Sequence, residues 1–229
     1  MYVCITNYFI MNLSTKNFSI YIAIAITALF FSGCASLTGF QDGRAVGEGN
    51  GEISASLSLS QSPDFKIDDF DSDSSDNSFP NLYFPNLEAG GKYGITNKLD
   101  FIFKVNSTFN LNAGVKYQLI GDQESLFAFG VGAEAGTFAI ISQLWNIQIP
   151  LYASLHPTEK FGVYFSPRYI YQFNAFAGIK GWNYLGGNFG ILFGNKHKFG
   201  LDISYYKVNT SGLVSSNLLS FGFGGRFSL

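Results

Sequence analysis

Asn217-Leu-Leu-Ser-Phe-Gly-Phe-Gly-Gly-Arg-Phe-Ser-Leu229 is the stretch that decides the fold. Taken in steps of two, Leu219, Phe221, Phe223, Phe227 and Leu229 share one face, with Gly225 as the only gap. Ser220, Gly222, Gly224, Arg226 and Ser228 share the other. A period of two with one greasy side is the mark of a β-strand. The same alternation recurs through most of the chain, which makes more apolar faces than one small water-soluble core could bury. A closed barrel with its apolar side toward lipid and its polar side toward a lumen satisfies every face and leaves no strand edge unpaired.

Working outward, the alternation divides into ten segments: 51–60, 83–94, 99–106, 109–120, 126–136, 143–156, 161–172, 184–194, 198–208 and 217–229. In each, the outward residues carry odd numbers, as in Phe101, Phe103 and Val105 or Trp145, Ile147 and Ile149. Directly opposed residues of an antiparallel hairpin share a face, so constant parity is what a bulge-free meander produces. The expected fold is therefore an all-β, antiparallel, up-and-down transmembrane barrel of ten strands. If the Ser107–Thr108 link does not make a hairpin, the count falls to eight. Pro85, Pro150 and Pro167 lie inside assigned strands, where a missing donor marks a bulge or a boundary.

Composition agrees with a membrane-facing surface. The 229 residues fit one domain, and only 13% are charged, against roughly 25% in soluble domains. Aromatics reach 17%. A formal net charge of −2 and the lack of a Lys/Arg cluster argue against nucleic acid as a partner. Cys4 and Cys34 are the only cysteines, and no Cys/His spacing suits zinc, so neither a metal nor a disulfide framework is expected. No cofactor motif appears either: Gly130-Val-Gly132 and Gly222-Phe-Gly224 read as small inward positions rather than a phosphate loop.

The terminal strand, with Phe221, Phe223, Phe227 and Leu229 on one side, resembles the closing strand of bacterial outer-membrane β-barrel proteins. The final residue there is most often Phe, where this chain has Leu229. The resemblance implies the outer membrane and its lipid as surroundings, and handling of that strand by the barrel-assembly machinery. At the other end, Lys16 precedes an apolar run from Ile20 to Phe31, followed by Ser32-Gly33-Cys34. A run this short is a secretory signal rather than a membrane-spanning helix. Phe31-Ser32-Gly33-Cys34 resembles a lipobox, which implies acylation of Cys34 and a lipid anchor on the periplasmic side. Residues 1–33 are then a signal peptide, 34–50 a flexible periplasmic tether, and 51–229 the barrel.

Candidate sites follow from the register. With the second hairpin centred on Thr96, Glu88 faces Lys104 and Lys92 faces Asp100, and Glu134 and Arg168 reach each other across the lumen. A barrel of this width is expected to be filled by such pairs. In the acidic stretch 61–82, Asp71, Asp73 and Asp76 have oxygen ligands at calcium-like spacing, yet without the Gly and terminal Glu of an EF-hand loop. A solvated surface loop is the plainer reading, a weak calcium site the alternative. Ten strands is also the size of the omptin proteases, which this chain resembles in architecture and which use acidic residues with a histidine near the cell surface. His156 and His197 fall at the opposite end, and Ser154 beside His156 points inward, so no catalytic residues are assigned. The expected role is structural or interactive within the cell envelope, as part of an envelope protein complex; the alternative is a narrow diffusion channel for small solutes.

Overall fold

The computed structural model describes residues 39–61, 83–138, 144–174, 181–210 and 215–229. They contain ten strands: β1 (Gly51–Gln61), β2 (Tyr83–Gly94), β3 (Leu99–Asn106), β4 (Asn110–Ile120), β5 (Phe127–Phe138), β6 (Leu144–Thr158), β7 (Phe161–Asn174), β8 (Trp182–Phe193), β9 (His197–Thr210) and β10 (Ser215–Ser228). Each pairs antiparallel with its sequence neighbours, and β10 pairs with β1 from Glu52↔Ser228 to Ser60↔Ser220, which closes the barrel. We call the end where β1 starts and β10 finishes the near end, and the opposite one the far end.

Side-chain parity holds along the strands, and even-numbered residues that turn outward, such as Ile120 and Trp182, sit at strand ends. Odd-numbered Leu57, Phe103, Ile147, Phe189, Leu201 and Phe223 are exposed, while even-numbered Asn112, Gln148, Arg168, Asn188 and Ser204 are buried inside. Two register shifts occur, between Gln118 and Ile120 on β4 and between Leu155 and Thr158 on β6. Both sit at near-end turns, beyond the lengths over which the faces must be kept. The three prolines cause no shift. Beside Pro150 the partner pairs break off on both flanks and resume in the same register, the local cost of a missing donor.

An exterior this apolar is solvated by hydrocarbon rather than water. Its rims are aromatic. Tyr93, Tyr117 and the contacting Phe199–Phe227 pair lie toward the near end; Tyr83, Trp145, Trp182 and the stacked Tyr171–Phe173 pair lie toward the far end.

The link that decides between ten strands and eight is a genuine hairpin. Asn106 Oδ1 accepts hydrogen bonds from the Thr108 and Asn110 backbone N–H groups and from the Thr108 hydroxyl. Phe109 turns the chain with φ of 56° and donates its own N–H to the Asn106 carbonyl at 2.9 Å. One asparagine side chain thus supplies the acceptor around which the turn is wound.

Candidate functional site: a stoppered lumen

The largest departure from expectation is the segment before β1. Residues 34–50 read as a flexible tether, but 39–46 lie within the barrel, where Phe40, Gln41, Asp42 and Ala45 are buried. This stretch shows no periodicity because it joins no ladder; its backbone is bonded to inward side chains of the strands. The Gly43 N–H donates to Ser154 Oγ at 2.9 Å, the Ala45 N–H to Gln118 Oε1 at 2.7 Å and the Val46 N–H to Asp100 Oδ1 at 3.1 Å. Lys116 Nζ donates to the Arg44 carbonyl, and the Arg44 guanidinium to the Ser125 carbonyl. Buried backbone groups need such partners wherever they come from.

The fit is tight. A Cβ on Gly43 would stand 2.4 Å from the Ala128 carbonyl oxygen, so only glycine passes there. The Phe40 ring packs with Tyr164 and Leu192 and lies over the inward faces of Gly222 and Gly224. Those two glycines, read from the sequence as small inward positions, leave the space the ring occupies.

Asp42 is the electrostatic centre of the stopper. Its Oδ2 lies 2.7 Å from Arg226 Nη2 and 3.6 Å from His156 Nε2. Burial alone would raise the Asp42 carboxyl, but Arg226 beside it, with Lys92 and Lys116 further off, outweighs burial and holds it well below the usual carboxylate range. Arg226 also approaches Glu52 at 3.6 Å, and Glu52 pairs with Lys92 at 2.8 Å, so a chain of alternating charges crosses the near half of the lumen.

The partners differ from those expected. The β2–β3 register puts Glu88 opposite Asn106, Lys104 opposite Gly90, Lys92 opposite Ile102 and Asp100 opposite Gly94. The cause is a turn in which the Ile95 and Thr96 N–H groups both donate to the Leu99 carbonyl, moving the hairpin centre one residue past Thr96. Lys92 therefore finds Glu52, Asp100 lies 3.5 Å from Lys116, and Lys104 lies 3.2 Å from Glu134. Glu134 also accepts from the Tyr152 hydroxyl at 2.9 Å. Arg168 donates to Gln148 Oε1 at 3.4 Å. Phe221 and Phe223 are exposed on β10, Phe227 is half-buried there, and Leu229 just past its end is exposed. Cys34, Asp71, Asp73 and Asp76 lie outside the described residues.

Ser154, His156 and Asp42 meet, but not as a catalytic relay. Ser154 Oγ and Asp42 Oδ2 both approach the same ring nitrogen, Nε2, at 3.1 and 3.6 Å, and Nδ1 has no hydrogen-bond partner. A relay needs the serine and the carboxylate on opposite nitrogens. All three groups are moreover buried, and the serine hydroxyl already accepts from the stopper.

Toward the far end the strands fill the lumen with their own side chains. Ile170, Tyr184, Tyr206, Val208 and Leu218 form a buried apolar cluster. Beside it runs an amide network in which Asn112 donates to Asn110 at 3.0 Å and Gln148 donates to Asn146 at 2.9 Å. Among the described residues no group of three His, Cys, Asp or Glu side chains could hold a metal ion.

No protein-family model matches the sequence, and no curated protein matches it. Three similar solved structures are an outer-membrane channel from Pseudomonas putida F1, the outer-membrane protein OprG from Pseudomonas aeruginosa, and Neisserial surface protein A. The first is 11% identical with a TM-score of 0.41, covering 84% of this chain and 100% of that one. OprG is 12% identical with a TM-score of 0.36, covering 80% and 97%. The surface protein is 11% identical with a TM-score of 0.33, covering 80% and 100%.

Proposed function

We propose that this chain is a bacterial outer-membrane β-barrel that does not conduct, its lumen closed by its own N-terminal segment, and that it serves a structural or interaction role in the envelope. The observation that carries the reading is the occupied interior: the stopper with its ion network in the near half, and the apolar cluster with its amides in the far half. A porin needs a continuous wet path, whereas here inward side chains meet one another at successive levels. On this reading the near end faces the periplasm, because that is where short turns gather and where an acylated Cys34 would hold the chain. The colliding roles at His156 Nε2 support a protein without hydrolytic activity.

The test is planar-bilayer recording of the refolded full-length chain. Silence from a correctly folded barrel is the expected result. Steady openings that change size when Lys104 or Arg168 is neutralised would replace this reading with that of a narrow diffusion channel.

A further inference from the structure

Beside the stopper, at the near-end mouth, lies a cavity of about 280 Å³. Its lining includes Arg44, Lys92, Lys196, Lys198 and Arg226, opposed by the side chains of Asp42 and Glu52 alone. Five cations against two side-chain carboxylates and the α-carboxylate of Leu229, which also lines the cavity, still leave it with a positive excess. Lys92 and Arg226 are committed to those carboxylates. Lys198 is not: it points inward from β9, half-buried, and makes no hydrogen bond or ion pair with a described residue. Arg226 is 3% exposed, and its Nε–H has no acceptor. A buried guanidinium N–H without an acceptor and a half-buried lysine without a close ion pair are each unfavourable.

We infer that this mouth is an anion site, which takes a phosphate group against Lys198 and Arg226. A phosphate offers several strong acceptor oxygens, enough to satisfy the Arg226 Nε–H and the Lys198 ammonium together. The cavity is wide enough for the phosphate of a small solute or for a phospholipid headgroup reaching in from the rim. The stopper forms part of its wall through Asp42, Arg44, Ala45 and Val46, and the test below reads binding rather than conductance.

Calorimetric titration of the folded full-length protein in nonionic detergent tests it, with inorganic phosphate, dihexanoyl phosphatidylglycerol and dihexanoyl phosphatidylcholine as probes. Saturable binding of phosphate or phosphatidylglycerol is expected, weakened at least about tenfold by Lys198→Gln and largely restored by Lys198→Arg. Phosphate bound as well as the lipid identifies a solute site; clear preference for phosphatidylglycerol over both other probes identifies a headgroup site. Because Lys198 makes no hydrogen bond or ion pair with a described residue, Lys198→Gln should fold, and Lys196→Gln at the exposed rim gives a second variant, expected to weaken binding less. The inference is overturned if neither anion saturates the wild type, or if binding survives Lys198→Gln and Lys196→Gln undiminished.

Discussion

The two halves of the lumen are filled in opposite ways. In the far half the strands close the barrel with their own side chains, and the apolar members Ile170, Val208 and Leu218 need no polar partners. In the near half the inward side chains are Asp100, Lys116, Gln118, Ser154 and Arg226, and they are joined through a strip of chain that belongs to no strand. The far half is a packed interior of the ordinary kind. The near half is a polar one completed by a guest, and its stability rests on Asp42 and on the backbone of residues 43–46.

The sharpest way to break that contrast is Arg226→Ala. It strips the Asp42 carboxylate of its close cation and leaves Glu52 with Lys92 alone, and removing one partner of a buried pair costs roughly 3–5 kcal/mol. Urea unfolding in detergent, followed by Trp145 and Trp182 fluorescence, should show a loss of that order; a loss under about 1 kcal/mol would mean the ion network contributes little.

Gly43→Val probes the guest without altering a strand. The new side chain meets the Ala128 backbone, so the segment must withdraw, at an overpacking cost of about 1–3 kcal/mol. Hydrogen exchange should then lose protection at residues 43, 45 and 46 while β5 and β8 keep theirs. Equal loss throughout the strands would show that stopper and barrel fold as one unit.

The smallest effect is on pH. Asp42 has a depressed carboxyl, so its stabilisation is complete above the ordinary aspartate value of about 4 and fades only as pH falls through the lower folded value. The protection difference between wild type and Asp42→Asn should stay flat from neutrality to about pH 4 and shrink in stronger acid. A difference that already shrinks between pH 7 and 5 would contradict the Arg226 pairing.

Which parts of this were legible in the sequence follows from the same contrast. Parity survives errors of pairing, because moving a hairpin centre by one residue slides each partner by two and leaves every side chain on its face. Lys92, Asp100 and Lys104 were therefore placed inside correctly and given wrong neighbours. Strand number was open only at Ser107–Thr108, where the decisive Asn106 side chain leaves no periodic trace. The stopper was invisible for a stronger reason: its hydrogen-bond partners, Ser154, Gln118 and Asp100, lie 54 to 111 residues away, and nothing local encodes them. Glu52 and Arg226 carried a usable signal, being inward by parity on the first and last strands, and pairing β1 with β10 in the sequence would have brought them within reach of each other.

The depth of Gly39 sets a length allowance. Gly39 lies against Asn188 and Asp202, and Asp202 stands five residues along β9 from His197, about 16 Å of strand before the barrel's tilt shortens it. Five residues also separate Cys34 from Gly39, a reach of at most about 18 Å. With the stopper seated, a fatty acid on Cys34, were that residue acylated, would have chain enough to reach the near-end rim of this barrel and little beyond it.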